Sequence, residues 1–326
     1  VMAGITTFMT MAYILAVNPS VLGSTGMDTT AVLLATALAS CLGTLCMAFM
    51  ANLPFALSAG MGLNAFMAYT VVAGYGYSWQ VALLAVFIEG LIFIVLSLTN
   101  IREAIFNAIP LTLKKGVSVG IGLFIAFIGL QNSGLCVDSA TLVGIISFPE
   151  NFHTAGICAL LTLIGLFFTA VFYTRKMKGA ILYGILLTWI LGMLCQVTGL
   201  YVPTPDAGFY SLFPSWGMTD FSRLGLTFGQ CFNVDFSAVG IVNFIVVIFS
   251  FLFVDIFDTL GTLIGVATKA KMLDKDGKLP GIKPALMADS IATSAGAILG
   301  TSTTTTFVES ASGVAVGGRT GLTALV

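Results

Sequence analysis

What this sequence has least of is charge. Its 13 Lys and Arg and 14 Asp and Glu make up 8% of 326 residues, where a soluble domain carries about 25%. No ordinary water-exposed surface can be built from that. A basic block is also missing and the net charge is −1, which excludes nucleic acid as a partner. With one histidine, His153, neither a histidine relay nor a histidine-based metal centre is expected. The six cysteines, at 41, 46, 136, 158, 195 and 231, form no C-x-x-C pair and sit mostly inside apolar runs. They read as small hydrophobes, not as a disulfide or zinc framework. No charged leader precedes an apolar stretch, so no signal peptide is expected. What is present is apolar, 58% of the residues. The chain reads as an all-α polytopic membrane protein whose solvent is lipid.

A spanning helix needs roughly 20 mostly apolar residues. Ten runs qualify, at about 2–17, 30–51, 55–73, 79–98, 113–131, 154–173, 179–199, 239–268, 282–300 and 303–320. The first begins at Val1 and the last stops near the end, so the sequence is expected to be a fragment of a longer protein. Lys and Arg in short loops set orientation. Arg102, Lys114 and Lys115 follow span four, and Arg175, Lys176 and Lys178 follow span six. Lys269, Lys271, Lys275, Lys278 and Lys283 follow span eight, and Arg319 closes span ten. A cytoplasmic N-terminus puts all of these inside and leaves only Arg223 outside, with Asp28, Asp138, Glu150, Asp206, Asp220 and Asp235. Residues 200–238, with Pro203, Pro205, Pro214 and Trp216, suggest an outer cap or interfacial helix. Residues 269–284 suggest a cytoplasmic hairpin turning at Asp276-Gly277, and 101–109 a short helix on the inner surface.

Two spans look broken. Span three is FALSAGMGLNAFMAYTV, with Gly60-Met-Gly62 inside it, and span ten is TSTTTTFVESASGVAVGGRTG. Four consecutive β-branched threonines favour extended backbone. Thr306-Phe-Val-Glu309 then fits a capping box that would begin a half-helix in mid-membrane. Each broken span follows a helix rich in Ala, Ser, Thr and Gly, at 35–48 and 288–300. The two copies start seven spans apart, an odd number, so the second is inverted. Inverted repeats with interrupted helices belong to secondary transporters, whose half-helices meet at a midplane site. Close helix packing accounts for most of the 36 glycines instead, Gly120 and Gly122 among them.

Ionisable groups within a span cost roughly 2.5–3.5 kcal/mol each and are functional by default. Span eight, VIFSFLFVDIFDTLGTLIGV, places Asp255 and Asp258 at i, i+3, with Thr259 and Thr262 completing a polar stripe. Glu309 lies in span ten. Three ionised acids would together cost about 8–10 kcal/mol, so at least one is expected to carry a proton. A carboxyl that gains and loses a proton beside a polar cavity is a coupling device. Asn64, just after the Gly-Met-Gly break, offers donor and acceptor together. Glu89, mid-span in helix four, is expected to make an interhelical hydrogen bond, and Asp289 to be structural. His153 sits at an outer helix end.

The motifs GITTFMTMAYILAVNP, SAGMGLNAFMAY, FVDIFDTLGTLIGVA and GTSTTTTFVESASGVAVGGRTGL resemble the adenine/guanine/hypoxanthine permeases. These are a branch of the nucleobase–cation symporters related to nucleobase–ascorbate transporters. The resemblance covers essentially the whole chain. It implies fourteen spans in an inverted-repeat, seven-plus-seven transporter fold, with discontinuous third and tenth spans carrying short strands. This chain would then be truncated after about ten spans. Residues 1–98 would form the core domain of the first repeat, 99–238 its gate domain, and 239–326 an incomplete second core. The resemblance assigns substrate and proton coupling to Asp255 and Glu309. It adds Asp258 to the coupling group, and Asn64, Ala12, Thr306 and Ser310 to the pocket, which Thr259 of the polar stripe is expected to join. It implies proton-coupled purine uptake by alternating access across the cell membrane, with no enzyme activity, no cofactor and no metal. A homodimer is left open. Phe66, Phe257 and Phe307 are candidates to wall a purine ring.

Two rivals are weighed. An intramembrane aspartyl protease would split its acids between two helices and carry G-x-G-D, whereas Asp255 and Asp258 share one turn. An anion transporter or channel on the same fold would present a cation or open helix N-termini instead of acids.

Overall fold

The computed structural model describes residues 1–99, 101, 104, 110–139, 142–177, 180–205, 208–214, 217, 219–236, 239–274 and 279–326. Arg102, Lys178, Lys275, Lys278, Asp206, Trp216 and the Asp276-Gly277 turn lie outside the described residues, as does most of 101–109. Five helices among the described residues are long and apolar enough to cross a membrane: Met2–Gly23, Thr29–Ala51, Trp79–Leu98, Phe148–Thr174 and Ile241–Ala270. The chain is a multi-pass membrane protein. It divides into two compact units, Val1–Val119 with Thr219–Val326, and Gly120–Met218.

The first unit opens with α1 (Met2–Met11) and α2 (Ile14–Gly23). They are one span with a local break at Ala12-Tyr13, where the Ala16 amide bonds the Tyr13 carbonyl at 3.0 Å. The span therefore runs six residues beyond its expected end at 17. Then come α3 (Thr29–Cys46), strand β1 (Leu57–Ala59), α4 (Met61–Ala65) continuing as a π-helix over Phe66–Gly74, and α5 (Trp79–Leu98). Helix α6 (Leu111–Asn132) leads into the second unit. Its hairpin β2 (Cys136–Ser139) and β3 (Leu142–Ile145) precedes helices α7 (Ile157–Thr174) and α8 (Ala180–Val197). The chain returns to the first unit through the short 3₁₀ turns Phe221–Leu226 and Gln230–Phe232. It closes with α9 (Ile241–Ala270), α10 (Ile282–Leu299), strand β4 (Thr304–Thr306), α11 (Ser310–Val316) and α12 (Gly321–Leu325).

Lipid supplies no hydrophobic drive between helices, so close approach of small residues does the work. In the first unit α10 is the centre, with Ala285, Ala288, Ala292 and Ala297 fully buried. Gly90 of α5 lies against its backbone: a Cβ there would stand 2.8 Å from the Ser294 amide nitrogen. Gly43 of α3 does the same on another side, 2.7 Å from the Ala292 Cβ. Helix α9 buries a polar stripe among apolar residues and leaves an apolar face outside. Asp255, Thr259 and Thr262 are buried, while Ile245, Phe249 and Phe253 are exposed one or two turns apart. In the second unit, Gly165 of α7 faces Thr188 of α8, and Gly184 faces Thr169. Each threonine hydroxyl is turned back onto its own helix, bonding the carbonyls of Gly184 and Gly165 at 2.8 and 2.7 Å.

Strands β1 and β4 pair antiparallel, Leu57 with Thr306, Ser58 with Thr305 and Ala59 with Thr304. All six residues are buried. The ladder extends at both ends, Gly60 N–H to Thr303 O and Phe307 N–H to Ala56 O, each 2.9 Å. Non-helical backbone survives inside a membrane protein only where such partners satisfy it.

Candidate functional site

The segment TSTTTT before α11 is where the polar side chains converge. Thr301 accepts from Asn18 Nδ2 at 2.9 Å, and Asn18 also reaches Thr36 of α3 at 2.7 Å. Ser302 donates to Asn64 Oδ1 of α4. Thr303 donates to Glu89 Oε2 of α5 at 3.0 Å, so this bond of the acid, expected to join two helices, goes from α5 to extended backbone. The Thr304 carbonyl accepts from Thr293 of α10 at 2.9 Å, and Thr305 meets Thr259 of α9 at 2.8 Å. The Thr306 amide donates to Asp289 Oδ1 at 3.2 Å. A run of short hydroxyls and freed backbone groups thus touches α2, α4, α5, α10 and α9. A helix would aim the same hydroxyls at only a few neighbours.

The acids separate into two sets. Asp255 and Asp289 are fully buried. The Thr259 hydroxyl lies 3.1 Å from Asp255 Oδ1 and 3.2 Å from Asp289 Oδ2. It has one proton, so it serves one carboxylate at a time while accepting from Thr305. Asp258 and Glu309 are only partly buried. Asp258 Oδ2 stands over Gly60, 3.4 Å from where a Cβ would be. Its charge is within electrostatic reach of Asp289 and Glu309. The open pair is therefore Asp258 and Glu309, with Asp255 one layer behind, held through Thr259.

Glu309 corrects one expectation. The capping box from Thr306 to Glu309 does not form, because pairing with the first strand continues through Phe307 and keeps Thr306 extended. Helix α11 begins at Ser310 with Glu309 in the N-cap position, and its side chain caps nothing. Instead Glu309 Oε1 accepts the Tyr13 hydroxyl at 2.7 Å. Helix α11 is locked to α1 by Thr10 and Ser312 hydroxyls 2.8 Å apart, and by Gly313, where a Cβ would lie 2.6 Å from the Ala3 carbonyl.

The remaining expected pocket residues are spread out. Asn64 is fully buried, and its Nδ2 has no partner among the described residues. Thr306 Oγ1 is likewise buried without one. Ser310 is occupied, accepting the Ala56 amide at 3.0 Å. Ala12 lines a separate, mostly apolar cavity of about 280 Å³ with Met11, Ser40 and Thr44. Of the aromatics, Phe66 packs edge-on to Phe251 and Phe257 against Phe253, while Phe307 faces Tyr13 at 6.3 Å. His153 is exposed, with Nδ1 3.1 Å from the Leu200 carbonyl.

One participant was missed by reading the sequence: Tyr13, an aromatic in an apolar run, carried no signal. Asp289, expected to be structural, accepts the Thr306 amide and shares one face of α10 with Thr293 and Gly296, whose Cβ position is 2.6 Å from Thr304 Oγ1.

The sequence model described as "Permease family" matches residues 1–326. The guanine/hypoxanthine permease PbuO of Bacillus subtilis is 45% identical over 331 residues, covering 100% of this chain and 71% of that one. The adenine permease AdeP of Escherichia coli is 41% identical over 330 residues, covering 100% and 68%. These relatives are permeases, not enzymes. Among solved structures, the transmembrane domain of the cyanobacterium bicarbonate transporter BicA superposes with a TM-score of 0.60 at 16% identity, over 99% of this chain and 78% of that one. That likeness is one of fold.

Proposed function

The chain belongs to the permease family, and from that premise we propose that it carries purine nucleobases across the cell membrane, N-terminus cytoplasmic, in symport with protons. The observation that carries this reading is the open pair Asp258 and Glu309 beside the crossing of two extended segments. A purine edge mixes N–H donors with ring-nitrogen acceptors. A carboxylate takes the first kind and a protonated carboxyl answers the second. Asn64 Nδ2, buried and without a partner among the described residues, supplies one further donor to a ring nitrogen or carbonyl. Protonation of one acid admits the base, the first unit moves to face the cytoplasm, and loss of the proton there weakens the grip. Asp255, Thr259 and Asp289 keep the second strand in register behind the pair and share the proton through the Thr259 hydroxyl.

A small anion is the poorer guest, since like charges in a low-dielectric site repel strongly. The test is uptake of radiolabelled hypoxanthine, guanine and adenine in a bacterium lacking purine transport, with sulfate and bicarbonate as comparison solutes. Purine uptake that collapses with a protonophore and with Glu309→Gln supports the reading. Sulfate or bicarbonate uptake without purine uptake overturns it.

A further inference from the structure

Tyr13 takes one of the two carboxylate oxygens that Glu309 has to offer. Its hydroxyl donates to Oε1 at 2.7 Å, the length of a charge-assisted bond. It is held there from both sides. The break between α1 and α2 places it, with Met11 and Ile14 buried on either side. Its ring meets Phe307 at 6.3 Å and 39°, against the same apolar cluster as Ala56 and Met61. Glu309 is set in turn by the ladder that ends two residues before it, at the bond from the Phe307 amide to Ala56 O. Neither partner can swing away without disturbing that packing.

We propose that Tyr13 is a specificity-determining residue: by loading Oε1 it weakens that oxygen as an acceptor and leaves Oε2 of Glu309 the stronger one for its guest. This rests on the purine reading above. A free carboxylate can grip two parallel donors in a fork, as it does a guanidinium. Guanine presents such a fork in its N1–H and 2-amino group, while hypoxanthine has only N1–H on that edge. With Oε1 already accepting one strong bond, a second donor on that oxygen gains little, so the fork is worth scarcely more than a single N–H and the site discriminates weakly between 6-oxopurines with and without the 2-amino group. Remove the hydroxyl and that oxygen is strengthened as an acceptor, so guanine gains relative to hypoxanthine.

The experiment is competition of guanine and hypoxanthine for uptake by Tyr13→Phe, with the membrane level of the protein measured alongside. The ratio of the two inhibition constants is expected to move toward guanine by about 5- to 20-fold, less than the roughly 10- to 100-fold of a wholly new hydrogen bond to a charged group, because the oxygen is strengthened as an acceptor and not created. Thr10→Val is the packing control. It breaks the neighbouring contact with Ser312 and leaves the Tyr13 bond intact. An unchanged ratio in Tyr13→Phe overturns the proposal, and so does an equal change in Thr10→Val. Wild-type protein that takes up neither base overturns the functional reading itself, a separate outcome.

Discussion

The two extended segments that cross in the middle of the first unit are buried alike and share the same ladder, yet they are tied to their surroundings to different extents. In the first, 57–59, side-chain hydrogen bonds go to one helix, α3: the Leu57 amide donates to Thr44 at 2.9 Å and Ser58 meets Ser40 at 2.7 Å, with Leu57 packed against Gly43. In the second, residues 301–306 reach five helices by hydrogen bonds. Hydrogen bonds fix direction and weaken steeply when misaligned. The second segment therefore sets where the surrounding helices stand, and the first does so only for α3. Their ends differ as well. The first leads to an amide, Asn64, and the second to a carboxyl, Glu309. Only the second can change charge.

That last contrast gives the largest expected effect. Glu309→Gln keeps the shape and removes the titration, and initial uptake of radiolabelled hypoxanthine is expected to fall by about 100-fold or more, two hydrogen-bonded charge interactions being lost at once. Asn64→Ala removes one neutral donor and is expected to weaken half-saturating uptake by roughly 10-fold. Equal losses from the two substitutions would break the comparison, since charge would then have no special place at the second end.

How much of this was legible beforehand follows from the same physics. Hydropathy delivered the spans, because twenty apolar residues in a row have few other readings. The threonine run and the Gly-Met-Gly break announced both extended segments, since local backbone preference is a property of the residues themselves. What stayed hidden depended on distant partners. Nothing local says that Tyr13 finds Glu309, 296 residues away. The capping box was a sound local pattern overruled by a strand pairing that continued one residue further, to Phe307. Composition and spacing alone do not separate Asp255 from Asp258, and only the packing of α9 puts one against Thr259 and the other over Gly60.

The next effect down compares the segments for stability. Thr303→Val withdraws a donor from the buried Glu89 carboxyl and is expected to destabilise by about 1.5–3 kcal/mol. Ser58→Ala removes one neutral hydroxyl bond and is expected to cost about 0.5–1.5 kcal/mol. Thermal unfolding in detergent, followed for both variants at one protein concentration, measures the difference. A larger shift for Ser58→Ala would reverse the roles assigned to the two segments.

The smallest effect tests whether the segments are coupled from outside. The turn Phe221–Leu226 ties together the helices that precede them. Arg223 pairs with Asp28 at the start of α3, 2.8 Å apart, and Thr227 bonds the Leu299 carbonyl at the end of α10 at 3.0 Å. The ion pair is half exposed on the arginine side, so Arg223→Ala is expected to cost only about 0.2–1 kcal/mol and to matter less at high salt. The turn also carries a pH dependence of known sign. The Ser222 hydroxyl and then its amide donate to Asp220, holding that carboxyl below its usual range. A folded value below the unfolded one means the contribution is fully present above the ordinary carboxylate range and fades as the pH falls through the depressed value. Amide exchange at Ser222 is thus expected to accelerate, beyond the intrinsic trend, only on strong acidification, and Asp220→Asn to remove that step. If Arg223→Ala loosens exchange in 301–306 but not in 57–59, the strap acts on the hydrogen-bonded segment alone. Equal loosening in both would show that the two are fastened as one piece.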